Sequence, residues 1–429
     1  MSPLDSTTSP RAVRAHMDMR QSPGLCSIAS LCAELVDWLR RDALPLWDRY
    51  GVDRDSGGYF ESLSFESKTQ EFEVSGKIRR GRVVARQIFV FDVGRRLGWQ
   101  STRSDPVRHG CEYLFSRMHR HDGLFHTSLN SETGQPHSSF SLYECAFYLF
   151  ALAHAKPTLS ESFPVEDAAI RCLRKLRDTW GKSIGGFEES DPPSVPLKSN
   201  PHMHMLEAAL AWIAATNDSD PKPWVELARE IVSLCTTHFI DPHTGAIREH
   251  FDANWRPMQD ETGRILEPGH QFEWAWLLMR WAESGYCKAE HRQPYLAAAR
   301  RLVDIGERWG VDAVRGVAVN ELWDDMTVRD SAAKLWPQTE RVKAWCTLLE
   351  HAQTMQDVEA ACQKVAMAIR GMWRYFLAQP AGLWQEVLWE NGDFTSEPCK
   401  ASSFYHVVCA IEALQRTLSV CGNAIPRRP

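Results

Sequence analysis

Six polar side chains, Arg86, Glu144, His204, His270, Glu340 and His406, follow one another at spacings of 58, 60, 66, 70 and 66 residues. Each falls near the start of a segment whose apolar residues recur with helical period, so the chain repeats a unit of one helix pair. A 3.6-residue template gives about twelve helices, near 28–49, 81–98, 105–118, 139–156, 162–181, 199–217, 221–238, 268–285, 290–309, 331–353, 356–377 and 401–418. The first, third, fifth, seventh, ninth and eleventh are charged on one face and apolar on the other, as a solvent-facing layer requires. The other six are more apolar throughout. Six pairs, each hiding one helix behind the other, close into a ring of six inner and six outer helices whose inner helix starts open into one cavity. An open superhelical array of pairs would spread its polar residues along a concave face. Here they cluster at matching depths.

Between the pairs lie period-two stretches beside turn glycines: GGYFESLSFE, GGFEES, GAIREHFDANW, RGVAVNELWDDMTV and GLWQEVLWENGDF. They predict short hairpins set in the loops. The organisation expected is a flexible arm over residues 1–25, a single domain over 26–420 and a tail over 421–429. Lys and Arg total 49 against 55 Asp and Glu, and the formal net charge of −6 argues against nucleic acid or an anionic membrane surface as a partner. No apolar run reaches the roughly 18 residues of a membrane span, and the start MSPLDSTTSPRAVRAHMDMRQSPG lacks the apolar core of a signal peptide. The 12 Cys form no C-x-x-C pair and read as reduced, mostly buried thiols of a cytoplasmic protein. The 17 Trp either line a cleft for a ring-shaped ligand or fill a large core.

The strongest local signal is EPGHQFEWAWLLMRW, residues 267–281. His270 and Glu273 are three apart on a helix and share a face, so the carboxylate is placed to hydrogen-bond the imidazole and tune it for proton transfer. The arrangement recurs at His204 and Glu207 in NPHMHMLEAALAW, and His406 in ASSFYHVVCAI stands at the same level of the last helix. Imidazoles from different walls of one cavity can serve as base and acid on a bound sugar. Arg86 lies in a largely apolar helix, where a guanidinium either faces the cavity to bind substrate oxygens or forms a buried ion pair. Trp336 and Glu340 in LWPQTERVKAW, and Tyr143 in FSLYECAFYLF, are further wall candidates, Trp336 as a stacking platform or as plain core. His202-Met-His204 has no third ligand at a recognisable spacing, so no metal site is assigned. No phosphate-binding P-loop and no G-x-S-x-G is present.

Together PGHQFEWAWLL, NPHMHMLEA, ARQIFVF, LWPQTERVKAW and SSFYHVVCAI resemble the N-acylglucosamine 2-epimerase superfamily, in the right order and over about residues 28–418. That superfamily includes renin-binding-protein-type epimerases, cellobiose 2-epimerases and aldose–ketose isomerases acting on mannose. The resemblance implies an all-α fold, an (α/α)6 barrel, in agreement with the ring. It also implies His270 and His406 as the general base/acid pair, with Glu273, Arg86, Asn200, His204 and Tyr143 binding the sugar or supporting the catalytic imidazole. The Glu-Trp-x-Trp run after Pro-Gly-His and the Trp-Pro-Gln-Thr-Glu segment are most similar to the mannose isomerases. Glu144 departs from the Asp frequent in the family at that place. The expected activity is isomerisation of free D-mannose to D-fructose through a cis-enediolate, with no metal, no cofactor and a monosaccharide as the partner, in a monomer or homodimer. The runner-up is a 2-epimerase acting on N-acylglucosamine or cellobiose. Two rivals stay open: a helical-repeat protein that binds a partner chain, and an inverting glycoside hydrolase, which needs two carboxylates across the cavity and has no part for His406.

Overall fold

The computed structural model describes residues 22–215, 220–378 and 380–422. In chain order the helices are α1 (Pro23–Trp38), α2 (Leu44–Tyr50), α3 (Gly81–Arg96), α4 (Pro106–Tyr113), α5 (Leu142–Leu159), α6 (Val165–Trp180), α7 (Ser199–Ala215), α8 (Lys222–Leu234), α9 (Pro268–Glu283), α10 (Ala289–Gly310), α11 (Leu335–Glu350), α12 (Met355–Trp373) and α13 (Ala401–Val420). A π-helical turn, Leu39–Ala43, runs α1 into α2, so these two act as one member.

Helices α3, α5, α7, α9, α11 and α13 pack side by side in that order, and α13 returns to α3. The ring is therefore closed, and the architecture is the (α/α)6 barrel. Five outer helices lie outside the inner helix that precedes them, with α4 on α3, α6 on α5, α8 on α7, α10 on α9 and α12 on α11, while α1, the first helix of the chain, lies on the last, α13. The two layers differ in composition because they differ in solvent contact. In α3 every residue from Val83 to Gly94 is buried. In α6 burial is confined to a stripe that includes Ala168, Ala169, Cys172, Leu173 and Leu176, the spacing of one helix face.

The repeat extends to the turns. Asp53, Asp241 and Asp312 each follow an outer helix and accept backbone N–H bonds from the residues two and three further on. This ties off each outer helix with a local turn. Short strands then lead into the inner helices: Ile78–Arg80 into α3, Leu197–Lys198 into α7, Ala333–Lys334 into α11 and Cys399–Lys400 into α13. The hairpins accordingly sit at the end of the barrel where the inner helices start, as expected.

Helix α1 begins inside the stretch read as an arm, because Ser22 caps it by accepting from Leu25 N at 3.0 Å. The rest of that arm, residues 1–21, and the tail beyond 422 lie outside the described residues. Trp47, Trp212, Trp224, Trp255, Trp274, Trp281 and Trp384 are fully buried, so these seven of the 17 tryptophans fill the core rather than a cleft. All 12 cysteines are free thiols, buried except at Cys26 and Cys287. No helix among the described residues is long and apolar enough to cross a membrane.

Candidate active site

The starts of the inner helices converge on a cavity of about 300 Å³, at the lower end of the range for small-molecule sites. Arg86 of α3, Tyr143 of α5, Asn200 and His204 of α7, His270 and Glu273 of α9, Trp336 of α11 and His406 of α13 line it. Loop residues Glu267, Lys334, Glu386 and Lys400 complete the wall with Ser402 and Ser403. Two of the residues expected there from sequence are absent from the lining, Glu144 and Glu340. Glu340 is wholly buried beneath the cavity floor, where it positions His406 instead of meeting a ligand. Glu144 also turns away, accepting from the backbone N–H of Arg82 at 2.6 Å and pairing with its guanidinium, so Tyr143 takes the cavity-facing place in that repeat.

Three imidazoles share one design. His204 Nδ1 lies 3.0 Å from Glu207, His270 Nδ1 2.9 Å from Glu249 and His406 Nδ1 2.9 Å from Glu340. A carboxylate on Nδ1 keeps the proton there and leaves Nε2 as the reactive nitrogen. The expected pairing of His204 with Glu207 is present. The expected pairing of His270 with Glu273 is not: Nδ1 has room for one close acceptor, and Glu249 from the preceding hairpin occupies it. Both oxygens of Glu273 lack a hydrogen-bond partner, and the nearest cation, Lys343 Nζ, is 3.9 Å away.

Trp336 is wedged between the two outer imidazoles of this set, with ring centroids 4.9 Å from His270 and 5.9 Å from His406. Gly269 makes that wedge possible, since a Cβ there would meet the Trp336 ring at 2.4 Å. Arg86 forms no ion pair among the described residues. It donates to the Tyr143 hydroxyl at 2.8 Å, lies 4.1 Å above the Phe147 ring, and keeps a buried Nε without a partner. Asn200 Oδ1 is likewise buried and unpartnered. Both present unmet hydrogen-bonding capacity at the cavity, as a site for a polyhydroxylated ligand requires.

The electrostatics separate the imidazoles. Burial works against charge on His270, but Glu249 at 2.9 Å and Glu267 at 3.8 Å outweigh it and raise its pKa to about 10. A single carboxylate at 4 Å is worth about 4 kcal/mol at an effective dielectric of 20, so two of them prevail over desolvation. His406 has one carboxylate, Glu340, whose charge is already met by Lys343 Nζ at 2.5 Å. Burial, then Arg86 and Lys343, hold His406 well below the ordinary value. His204 is lowered too, by burial and then, after the opposing pull of Glu207, by Arg86 and His270. Beneath them, burial and the neighbouring Glu340 push the Glu273 carboxyl well above its ordinary value. Burial opposes the charge of Glu207, but the bond from His204 and the ammonium of Lys343 bring it down to about 2.

His202 plays no part in the cavity. Its Nε2 accepts from Phe187 N at 3.1 Å and its Nδ1 lies 3.1 Å from Lys198 O, which makes it a satisfied core histidine held near pKa 4 by burial. Groups of acids and imidazoles close enough to share an ion do occur, Glu273, Glu340 and His406 among them. The ammonium of Lys343 lies against two of these carboxylates, as a built-in cation.

Sequence reasoning missed Glu249, Lys343, Tyr405 and Glu386. Lys343 carried the same signal as Arg86, a cation in an apolar inner helix. Tyr405, whose hydroxyl donates to Glu207, adjoins His406. Glu249 and Glu386 sit in irregular hairpins, where no periodicity marks them.

The model of the N-acylglucosamine 2-epimerase (GlcNAc 2-epimerase) family matches residues 58–410. The chain is 40% identical to a mannose-6-phosphate isomerase of Rhizobium meliloti (strain 1021), over 90% of this chain and 97% of that protein. It is 28% identical to a D-mannose isomerase of Thermobifida fusca over 56% of this chain and 61% of that one. Among solved structures, the cellobiose 2-epimerase from Spirochaeta thermophila DSM 6192 superposes with a TM-score of 0.76 at 19% identity, covering 92% of this chain and 98% of its own, a likeness of fold.

Proposed function

The chain belongs to the N-acylglucosamine 2-epimerase family, and from that premise we propose that it isomerises free D-mannose to D-fructose by proton transfer between two histidines. The observation that carries this reading is the placement of His270 and His406 on either side of Trp336, with the pKa of the first raised and that of the second lowered. A neutral imidazole is ready to accept a proton, and a charged one is ready to give one. In this reading the charged His270 donates to the ring oxygen as the C1–O5 bond breaks and the C1 hydroxyl gives its proton to solvent, leaving the open-chain aldehyde. His406 Nε2 then takes the C2 proton, the electron pair of that C–H bond forms the C1=C2 bond, and the former aldehyde oxygen becomes the enediolate oxygen. Arg86 steadies the developing charge, and Asn200 Oδ1 accepts from a sugar hydroxyl. Return of that proton from His406 to C1, with the O2 proton passing to O1 as the C2=O bond forms, yields the ketose. Trp336 supplies the apolar face for the sugar, and His204 and Tyr143 hold its hydroxyls. No step calls for a metal or cofactor.

The names of the two relatives support a mannose substrate and differ over its phosphate. A second reading, mannose 6-phosphate, is favoured by Lys334 and Lys400, two exposed ammonium groups on the cavity wall. The deciding experiment incubates mannose, mannose 6-phosphate, glucose, N-acetylglucosamine and cellobiose in deuterated water. Fructose from mannose with deuterium at C1 is expected. A 2-epimer labelled at C2 as the main product would replace the isomerase by an epimerase. Turnover of the phosphate ester alone, weakened by Lys334→Ala, would establish the second reading.

A further inference from the structure

A second cavity, of about 420 Å³, opens at the opposite mouth of the barrel, between the C-terminal halves of the same inner helices. Its body is apolar, with Phe89 of α3, Phe150 of α5, Ala211 of α7, Trp276 of α9 and Ala413 of α13 around it. Four guanidinium groups line it. Arg95 pairs with Asp92, Arg96 with Asp92 and Glu412, and Arg416 with Glu283 and Glu350. Arg280 differs, having no ion pair and no hydrogen bond among the described residues although it is only partly exposed. The carboxylates nearest to it, Glu283, Glu350 and Glu412, are the ones the other arginines already hold. The cavity thus offers one uncommitted guanidinium beside an apolar chamber.

This cavity shares a wall with the candidate active site. Glu207 lines it while bonding His204 and accepting from Tyr405. Phe89 and Phe150 line it while each packs against Tyr405 at 5.6 Å, and the Tyr405 ring lies 4.8 Å from His406. We propose that this cavity is an effector site for a small monocarboxylate with an aromatic or aliphatic body, its carboxylate paired with Arg280 and its body packed on Trp276 and Phe150. A guanidinium fork matches a carboxylate in geometry as well as charge. Occupancy presses on Phe89 and Phe150, and through Tyr405 on the floor beneath His406 and His204. The binding part stands by itself, whereas the effector part rests on the sugar reaction proposed above.

The test titrates the whole protein with 4-phenylbutyrate and with its uncharged amide, by calorimetry and thermal shift, and then measures sugar turnover with and without the acid. Saturable binding of the acid is expected, at least tenfold weaker for the amide and for Arg280→Gln, and lost in Ala413→Trp, which fills the chamber. Arg280→Gln is expected to turn over sugar as the parent does when the probe is absent, which also reports that it folds; Ala413→Trp, whose indole fills the chamber permanently, is expected to unfold cooperatively near the parent's melting temperature with KM or kcat already displaced toward the acid-bound values. Saturating acid should shift KM or kcat at least twofold in the parent and leave Ala413→Trp unmoved. Absence of saturable binding, or equal binding of acid and amide, would overturn the site. Binding without any change in KM or kcat would overturn its effector role. Should no aldose be turned over at all, the calorimetric arms still decide the site, so the two proposals fail separately.

Discussion

Lys343 Nζ lies 2.5 Å from Glu340 Oε2, and neither side chain is reached by solvent. The pair sits directly under His406, because the other oxygen of Glu340 holds that imidazole. The ammonium also faces the Trp276 ring at 3.9 Å. Removing one partner of a buried pair strands the other charge, at a cost of about 3–5 kcal/mol. Lys343→Met is therefore expected to lower the melting temperature sharply, and Lys343→Met combined with Glu340→Gln to recover part of the loss, as read by calorimetry. In folded Lys343→Met, the uncompensated Glu340 should raise the pKa of His406 and move the acid limb of activity upward.

His270→Ala and His406→Ala are each expected to cost roughly two to four orders of magnitude in kcat, the usual range for a positioned acid or base. Their melting temperatures should stay close to the parent, since both side chains border a cavity. Steady-state kinetics alongside thermal unfolding checks this. Unchanged turnover in either variant would remove that histidine from the chemistry.

The pH profile of kcat/KM follows from the opposed shifts. Lowering pH protonates the base His406, but only below the ordinary imidazole value, because its pKa is depressed. Raising pH strips the acid His270 near 10, because its pKa is raised. A broad plateau between these limits is expected, with the two limbs belonging to the pair. In Glu249→Gln the main carboxylate behind the upward shift of His270 is gone, so the alkaline limb should move down by more than one pH unit. A limb that stays in place would show that another group governs it.

Gly269→Ala tests the wedge. The added methyl displaces the Trp336 ring, which would otherwise lie 2.4 Å from it, and disturbs its contacts with both imidazoles. A fall in kcat of at least tenfold is expected, from a substitution that adds one carbon and no charge. The double variant Gly269→Ala/Trp336→Phe should regain part of that loss.

Metal removal separates the two histidines of the His-x-His segment. With Lys343 against the carboxylates, dialysis against EDTA is expected to leave activity intact; loss that a divalent ion restores would overturn the metal-free reading. His202→Ala should destabilise the fold through its lost bonds to Phe187 and Lys198, with turnover per folded molecule kept. His204→Ala should do the reverse, raising KM with a smaller change in stability.

The closed ring was legible in the sequence because helix pairs of nearly constant length return the chain to the same depth every 58–70 residues. That periodicity put Arg86, His204, His270 and His406 at one level, and the structure places all four around one cavity. What the period could not reveal is which carboxylate serves which imidazole. Glu249 reaches His270 from a hairpin 21 residues earlier, Tyr405 reaches Glu207 from 198 residues away, and Glu340 turns inward to hold His406 across 66 residues. Helical spacing reports which face a side chain shares with its neighbours, and it brought His204 to Glu207 while failing to bring His270 to Glu273. Ionisation is more remote still from sequence. Whether an imidazole is charged depends on burial opposed by the nearest carboxylates, and these forces change over a few ångströms between side chains from different helices. Only the tertiary structure sets those distances, so it alone decided that the pKa of His270 is raised and that of His406 lowered.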